Sequence, residues 1–246
     1  MPSSNKGTFY AGLLAASKSG DRLLAVLIDP EKIEQSSLPQ VIDQLNKSMV
    51  THIFVGGSTD RLNQTATLVP AIKKLSKLPV ILFPGHYDQL TSNADALLFL
   101  SLISGRNPEY LIGQQVRAAR VLKNVELEVV PTGYILIDGG NPTAVASVSE
   151  TQPIAQNEID HIAHTALAGQ YLGQQLIYLE AGSGAAEPVH PEVISAVKKT
   201  IKIPIIVGGG IRSKAQLESA YQAGADLVVI GTAFEHNDLF FKELKQ

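Results

Sequence analysis

The chain has 246 residues, of which 45% are hydrophobic, and a formal net charge of −3. This length and this apolar content suit one domain with a large core, and they are ordinary for an α/β barrel. The small negative charge gives no electrostatic basis for binding nucleic acid. Cysteine is absent, which excludes a disulfide framework and a thiolate metal site.

No segment of the sequence has the pattern of a membrane anchor or a secretory leader. The opening stretch, "MPSSNKGTFYAGLLAASKSGDR", lacks a long apolar core and predicts no signal peptide. No uninterrupted apolar run approaches the roughly 20 residues that a transmembrane helix needs. We therefore expect a single domain over residues 1–246, soluble and cytoplasmic.

Short apolar runs rich in Val, Ile and Leu recur along the whole chain. Eight are present, at 22–29, 52–57, 79–85, 96–100, 126–132, 176–182, 204–210 and 226–231. Their nearly continuous hydrophobicity is typical of parallel strands that are covered on both faces. Helical patterns lie between most of them, which predicts a (β/α)₈ TIM barrel. A doubly wound open sheet is the competing architecture.

Two connections depart from a regular barrel. The segment between runs three and four, 86–95, has ten residues, whereas a parallel crossover usually needs about a dozen or more. The third barrel helix should therefore be reduced or missing. The segment after run five, 133–153, is long and contains Gly, Ser, Thr and Pro, which indicates a loop that could act as a lid over the C-terminal face.

Glycine-rich segments follow the last strands. "IVGGGIRS" (206–213) follows run seven, "VVIGTAFE" (228–235) follows run eight, and "EAGSG" (180–184) follows run six. Glycines let backbone N–H groups approach a phosphate, and the ends of strands seven and eight are the usual phosphate site of barrels. Tight turns are the alternative interpretation, but glycine-rich loops at the ends of both strands favour phosphate binding.

Two oxygen-bearing side chains end the first two strands. Asp29 ends "LIDP" and Ser58 ends "FVGGS". A carboxylate and a hydroxyl at one rim are hard ligands of the kind that Mg²⁺ uses together with waters and substrate phosphates. The alternatives are structural, since an Asp before Pro often caps a turn and a Ser often caps a helix. Spacing does not decide between them.

Strand six ends in a polar pair. Tyr178 and Glu180 are two residues apart, so their side chains share one face of the strand. In a barrel mouth, Glu180 could accept hydrogen bonds from substrate hydroxyls or act as a general base. The alternative is an ion pair with a buried Arg or Lys. The six histidines show no metal-binding arrangement, and no Ser-His-Asp set is evident.

Taken in order, the segments "LIDPEK", "FVGGS", "YLEAGSGA", "VGGGIRS" and "IGTAFE" resemble the geranylgeranylglyceryl phosphate synthase, or phosphoglycerol prenyltransferase, family. The resemblance implies a modified barrel without its third helix. It also implies Mg²⁺-dependent transfer of a prenyl group, expected to be geranylgeranyl, from its diphosphate to the 3-hydroxyl of sn-glycerol 1-phosphate. Diphosphate would be released, and the product would enter ether phospholipid biosynthesis.

The same resemblance assigns roles to individual residues. It places Asp29 and Ser58 at the metal and makes Glu180, Tyr178 and Asp29 catalytic. It assigns the substrate-binding role to Tyr178, Leu179, Glu180, Ala181, Gly182, Ser183, Gly184, Gly209, Gly210, Gly231 and Thr232. The prenyl tail should occupy an apolar slot lined from 99–112.

The sequence departs from the family pattern at two places. Many archaeal members carry an Asn-Ser pair after strand four, where this chain has Ser104 and Gly105. Members with a Lys shortly before the Asp use it on the glycerol phosphate, whereas Leu27 and Ile28 precede Asp29 here. No lysine contact is therefore carried over.

Other functions fit parts of the pattern. An isomerase or aldolase acting on a phosphorylated sugar would share the phosphate site, but it would need a second acid or a Schiff-base Lys that we do not find. A non-catalytic barrel that binds phosphorylated lipids is an alternative from another class. The resemblance also implies a homo-oligomer, a dimer or a hexamer, and a lipid product allows transient contact with a membrane surface.

Overall fold

Eight parallel strands form a closed barrel in the computed structural model, which describes residues 8–57, 60 and 63–231. Each strand pairs with the next along the chain, and the last pairs with the first. The strands are β1 Leu23–Ile28, β2 His52–Val55, β3 Val80–Leu82, β4 Ala96–Leu102, β5 Glu128–Leu136, β6 Leu176–Glu180, β7 Ile205–Gly208 and β8 Leu227–Ile230. The predicted TIM barrel is confirmed.

Helices follow the strands around the barrel, except the first, which precedes β1. They are α1 Thr8–Ser19, α2 Leu38–Asn46, α3 Thr65–Leu75, α4 Gln114–Leu122, α5 Ala144–Ser149, α6 Ile159–Tyr171, α7 Pro191–Thr200 and α8 Lys214–Ala223, and a π-helical turn, Glu109–Gly113, leads into α4. The connection between β3 and β4 contains no helix, as its length predicts. Within the described ranges, no helix is long and apolar enough to cross a membrane.

Apolar side chains fill two layers. Alternate residues of each strand point into the barrel, and the others point outwards against the helices. Phe54, Leu98 and Ile206 belong to the inner layer, whereas Val55 and Leu97 belong to the outer one. Because both faces of every strand are covered, the strands read as continuous apolar runs instead of alternating ones.

The N-terminal helix α1 closes the bottom of the barrel, and sequence analysis did not predict it. Phe9 and Leu13 belong to the inner apolar layer, and the Phe9 ring meets the Phe54 ring edge-on at 6.3 Å. The Glu128 carboxylate, at the start of β5, accepts hydrogen bonds from the backbone N–H groups of Phe9 and Tyr10, both at 2.9 Å. Since this end is closed, a ligand must enter from the C-terminal ends of the strands.

The sequence suggested one long loop over 133–153, but the structure shows regular elements in this segment. Strand β5 continues to Leu136, and α5 occupies 144–149. Gly133 lies inside the strand and does not break it. Glycine is needed here because neighbouring side chains leave no room for a larger residue. A Cβ at this position would lie 2.8 Å from the Ile103 side chain and 2.8 Å from that of Ile177. Helix α5 begins at Thr143, whose side chain accepts a hydrogen bond from the N–H of Ala146.

We expect Glu128→Ala to lower the free energy of unfolding by about 1–2 kcal/mol, because two N–H groups at the start of α1 lose their acceptor. Urea denaturation followed by circular dichroism measures this change. Asp43→Ala is the control, since Asp43 forms an exposed pair with Lys47 and should cost less than about 0.5 kcal/mol. Equal losses in the two variants would contradict the role of Glu128.

Candidate active site

A cavity of about 460 Å³ opens at the C-terminal mouth of the barrel. One part of its wall is glycine-rich backbone from the loops after β6, β7 and β8, and another part is apolar side chains from β4, α4 and α5. Asp29, Phe83 and Glu180 lie at the strand ends around it. The cavity therefore joins a polar compartment to an apolar one.

Glu180 is the buried acid of this cavity. It is the last residue of β6 and is 7% exposed, and its Oε1 accepts a hydrogen bond of 2.7 Å from the Gly182 N–H. A Cβ at Gly208 would lie 2.7 Å from Glu180 Oε2, and one at Gly209 would lie 2.5 Å from Oε1. The neighbouring strand therefore needs glycine here to make room for the carboxylate.

The environment of Glu180 makes it a weak acid. Burial raises the pKa of its carboxyl group to about 7, while the hydrogen bond from Gly182 and the nearby Tyr178 hydroxyl oppose this rise. No Arg or Lys in the described ranges forms an ion pair with Glu180. The alternative interpretation of Glu180 as a member of a buried ion pair is therefore not supported. A carboxyl group with this pKa is suited to exchanging a proton at neutral pH.

Tyr178 lies beside Glu180 on the inner face of β6, as predicted. Its ring stacks on that of Phe83, with a centroid distance of 4.9 Å and an interplanar angle of 12°, and lies 5.5 Å from the Tyr134 ring. Burial raises the pKa of Tyr178 well above its ordinary value. Among the described residues, its buried hydroxyl has no hydrogen-bond partner of normal geometry, and it lies beside the Glu180 carboxylate.

The predicted substrate residues on β6 and the following loop face different ways. The side chains of Leu179 and Ala181 lie in the outer apolar layer, so they could reach a ligand through their backbone alone. The cavity wall includes Gly182, Ser183, Gly184, Gly209, Gly210 and Gly231. Thr232 lies outside the described residues.

The two glycine loops are held against each other. Gly182 and Gly209 have φ values of 99° and 82°, a backbone region that favours glycine. The guanidinium of Arg212, after β7, donates hydrogen bonds to the carbonyl oxygens of Ala185 (2.5 Å) and Ala186 (3.4 Å). Sequence analysis did not single out Arg212, because its partners are main-chain groups that no motif reveals.

Asp29 lies at the rim of the cavity and makes the contact of a turn-capping residue. Its Oδ1 accepts a hydrogen bond of 3.0 Å from the Glu31 N–H, which is the turn-capping role, and Lys32 Nζ lies 3.3 Å from Oδ2. The side chain nevertheless lines the cavity and is 19% exposed. A Cβ at Gly57 would lie 2.8 Å from Oδ1, so glycine leaves space for the carboxylate. Ser58 lies outside the described residues.

The donor set suits one kind of metal site. The described part of the chain contains no group of three or more His, Cys, Asp or Glu side chains that could hold an ion. A single carboxylate does not form a complete coordination shell, but Mg²⁺ commonly keeps several waters and binds through one or two carboxylates plus substrate phosphates. Asp29 is therefore compatible with a metal that arrives with a phosphorylated ligand.

The apolar compartment lies beside the connection between β3 and β4, which contains no helix. Of the predicted segment 99–112, the residues that line it are Phe99, Leu100, Leu102 and Tyr110. The structure adds Tyr87 and Leu90 from the helix-free connection, Ala118 from α4, and Val145 and Val148 from α5. The segment 133–153, predicted as a lid, thus covers the cavity with a short helix.

Ser104, one of the two departures from the family pattern, has a structural contact. Its Oγ accepts a hydrogen bond of 2.9 Å from the Leu136 N–H, which joins the end of β5 to the segment after β4.

The buried state of Glu180 predicts a pH dependence of stability. Its folded pKa of about 7 exceeds its ordinary value of 4.5, so the folded protein binds this proton more tightly and loses stability as pH rises between these values. Urea denaturation at several pH values should show that the free energy of unfolding of Glu180→Gln rises relative to that of the wild type across this pH range, and that the difference is constant above it. The slope of the rise should be at most that expected for the binding of one proton. A difference that does not change with pH, or changes in the opposite direction, would contradict the burial argument.

Comparisons with known proteins agree with this geometry. The PcrB family profile matches residues 21–246. A protein of Zunongwangia profunda named geranylgeranylglyceryl phosphate synthase is 58% identical over 226 residues, covering 92% of this chain and 96% of that protein. The YdjI aldolase of Escherichia coli K12 is 15% identical with a TM-score of 0.55, over 91% of this chain and 80% of its own, which shows the fold alone.

A solved structure carries a ligand in a similar barrel. It is (S)-3-O-geranylgeranylglyceryl phosphate synthase from Thermoplasma acidophilum in complex with its substrate sn-glycerol-1-phosphate. It superposes with a TM-score of 0.89 at 34% identity and covers 96% of this chain and 95% of its own. On these matches, over nearly the whole length of the barrel, the chain belongs to the PcrB family.

Proposed function

We propose that this chain transfers a prenyl group, with geranylgeranyl diphosphate as the expected donor, to the 3-hydroxyl of sn-glycerol 1-phosphate. Diphosphate is released, Mg²⁺ is required, and the product serves ether phospholipid biosynthesis. One observation carries the proposal. A buried carboxyl group, Glu180, lies between a glycine-rich backbone surface and an apolar slot within one cavity.

The glycine-rich compartment is suited to glycerol phosphate. Backbone N–H groups in the loops that contain Gly182–Gly184, Gly209–Gly210 and Gly231 can bind the phosphate without a dedicated cation. The glycerol hydroxyls then point towards Glu180, which accepts their hydrogen bonds and takes the proton of the attacking one. A pKa of about 7 keeps much of this base ionised at neutral pH. The Tyr178 hydroxyl, beside Glu180, can donate to a glycerol oxygen.

Asp29 and Ser58 hold the metal and the diphosphate end of the donor in this proposal. When bound, Mg²⁺ neutralises the negative charge that grows on the departing diphosphate. Lys32 lies 3.3 Å from the Asp29 carboxylate, which places a positive charge at the same rim. The phosphate of the acceptor and the diphosphate of the donor are therefore bound on different strands, which limits their repulsion.

The apolar slot binds the prenyl tail. Side chains of β4, α4 and α5 line it, and a hydrocarbon buried there contributes roughly 0.8 kcal/mol per CH₂ group. The same walls exclude water from the reacting carbon, which suppresses hydrolysis of the donor. Helix α5 supplies Ala144, Val145 and Val148 to this cover.

The direct test incubates purified protein with labelled sn-glycerol 1-phosphate and a panel of prenyl diphosphates, with Mg²⁺ or with a chelator, and extracts the lipid. We expect a prenyl ether that forms only with Mg²⁺ and is favoured with one chain length. Binding of glycerol phosphate without any product would favour a non-catalytic lipid-binding barrel. Turnover of a phosphorylated sugar instead would favour an isomerase or aldolase.

The assembly and location of the protein are part of the proposal. We infer a homo-oligomer that works in the cytoplasm and touches the membrane surface transiently to release its product. Ile112 and Val116, one helical turn apart, are 59% and 65% exposed, which supports an apolar contact on this face. Light scattering tests the oligomeric state, and co-sedimentation with lipid vesicles tests the membrane contact. A monomer that does not co-sediment with vesicles would contradict both.

We expect Asp29→Ala to abolish prenyl transfer while the fold survives, because the metal and the leaving diphosphate lose their carboxylate. The control Glu34→Ala removes an exposed carboxylate from the same loop and should keep full activity. Glu180→Ala should instead chiefly impair the use of glycerol phosphate, raising its KM or lowering the rate at its saturation. Full activity in Asp29→Ala would contradict the metal assignment.

Ala118→Phe should block part of the slot, because Ala118 is buried in the cavity wall and the larger ring would occupy the space of several CH₂ groups. We expect the preferred prenyl diphosphate to become shorter, with the KM for glycerol phosphate unchanged. Ala119→Phe, on the exposed face of the same helix, is the matched control. An unchanged chain-length profile in Ala118→Phe would place the tail elsewhere.

A further inference from the structure

Phe83 lies at the edge of the inner apolar layer, where its ring borders the cavity. It follows the last residue of β3 and lines the cavity, and it is half-buried, whereas Tyr134 and Tyr178 are almost fully buried. Its ring stacks on that of Tyr178 at 4.9 Å and lies 6.0 Å from the ring of Tyr134. These contacts fix the ring without enclosing it.

The order of the strands places Phe83 between the proposed subsites. Asp29 follows β1, and the apolar slot begins on β4, with β2 and β3 between them. A donor with its diphosphate at Asp29 and its tail along β4 must cross the mouth at the end of β3, where Phe83 stands. Tyr178, on β6, stacks on the Phe83 ring from the acceptor side, and Glu180 lines the same cavity.

We propose that Phe83 is a catalytic residue whose ring face stabilises the positive charge that develops on the allylic carbon of the prenyl donor. This inference rests on the proposed function. In the reaction, the bond from C1 to the diphosphate oxygen breaks, and its electron pair leaves with the diphosphate. A lone pair of the glycerol 3-oxygen forms the new bond to C1, and the hydroxyl proton passes to Glu180.

The chemistry requires a stabiliser of this kind. As the carbon–oxygen bond lengthens, C1 and the conjugated C3 carry positive charge in a cavity whose walls exclude water. An aromatic face offers negative potential without a nucleophilic atom that could capture the allyl group. Glu180 cannot do both tasks, since its proton-accepting oxygens are directed to the glycerol hydroxyl in the proposed arrangement.

The experiment varies the charge on the ring and keeps its shape. Phe83 is replaced by mono-, di- and trifluorophenylalanine, and the rate of prenyl transfer is measured in a single turnover with saturating glycerol phosphate. Each fluorine weakens the negative face of the ring. We expect the logarithm of the rate to fall in proportion to fluorine number, reaching a total loss of about 2- to 30-fold, with the KM for glycerol phosphate unchanged.

Phe54 is the matched control. It is fully buried in the same aromatic cluster, 6.5 Å from the Phe83 ring, and does not line the cavity. Fluorination there should leave the rate unchanged. A flat series at Phe83, even with slow transfer in Phe83→Leu, would reduce the residue to a packing role and overturn the inference. No ether product from the wild type would instead overturn the proposed function itself.

Discussion

The burial of one carboxyl group constrains the whole mouth of this barrel. Glu180 ends β6 beside the end of β7, in register with Gly208, and a side chain at Gly208 or Gly209 would collide with it. Burying the carboxyl group, which has no cationic partner among the described residues, raises its pKa to about 7. The same glycines that admit the carboxylate also expose the backbone N–H groups that form the polar compartment. In the proposed function, acid–base chemistry and anion binding therefore share one structural cause.

The apolar compartment of the cavity lies beside the β3–β4 connection, where a regular barrel would have a helix. In a regular barrel, a helix between β3 and β4 would cover the outer face of those strands. Here that connection contains no helix, and Tyr87 and Leu90 line an apolar slot instead. The result is a polar and an apolar compartment that meet at Glu180 and Phe83.

The sequence predicted the parts that depend on local pattern. The eight apolar runs located every strand, and the glycine loops and the acid that ends β6 located the polar compartment. Helix α1 was missed because its capping group, Glu128, is distant in sequence. The extension of β5 was missed because Gly133 signals a break when its real role is contact with Ile103 and Ile177.

The most direct test of this account follows the atoms of the new bond. The protein is given sn-glycerol 1-phosphate labelled with ¹⁸O at the 3-hydroxyl, together with Mg²⁺ and its preferred prenyl diphosphate, and both products are analysed by mass spectrometry. We predict a prenyl ether that retains the label and a diphosphate that carries none. A lipid whose ether oxygen lacks the label, or a prenyl alcohol with no ether, would contradict attack by the glycerol 3-hydroxyl at the mouth of this barrel.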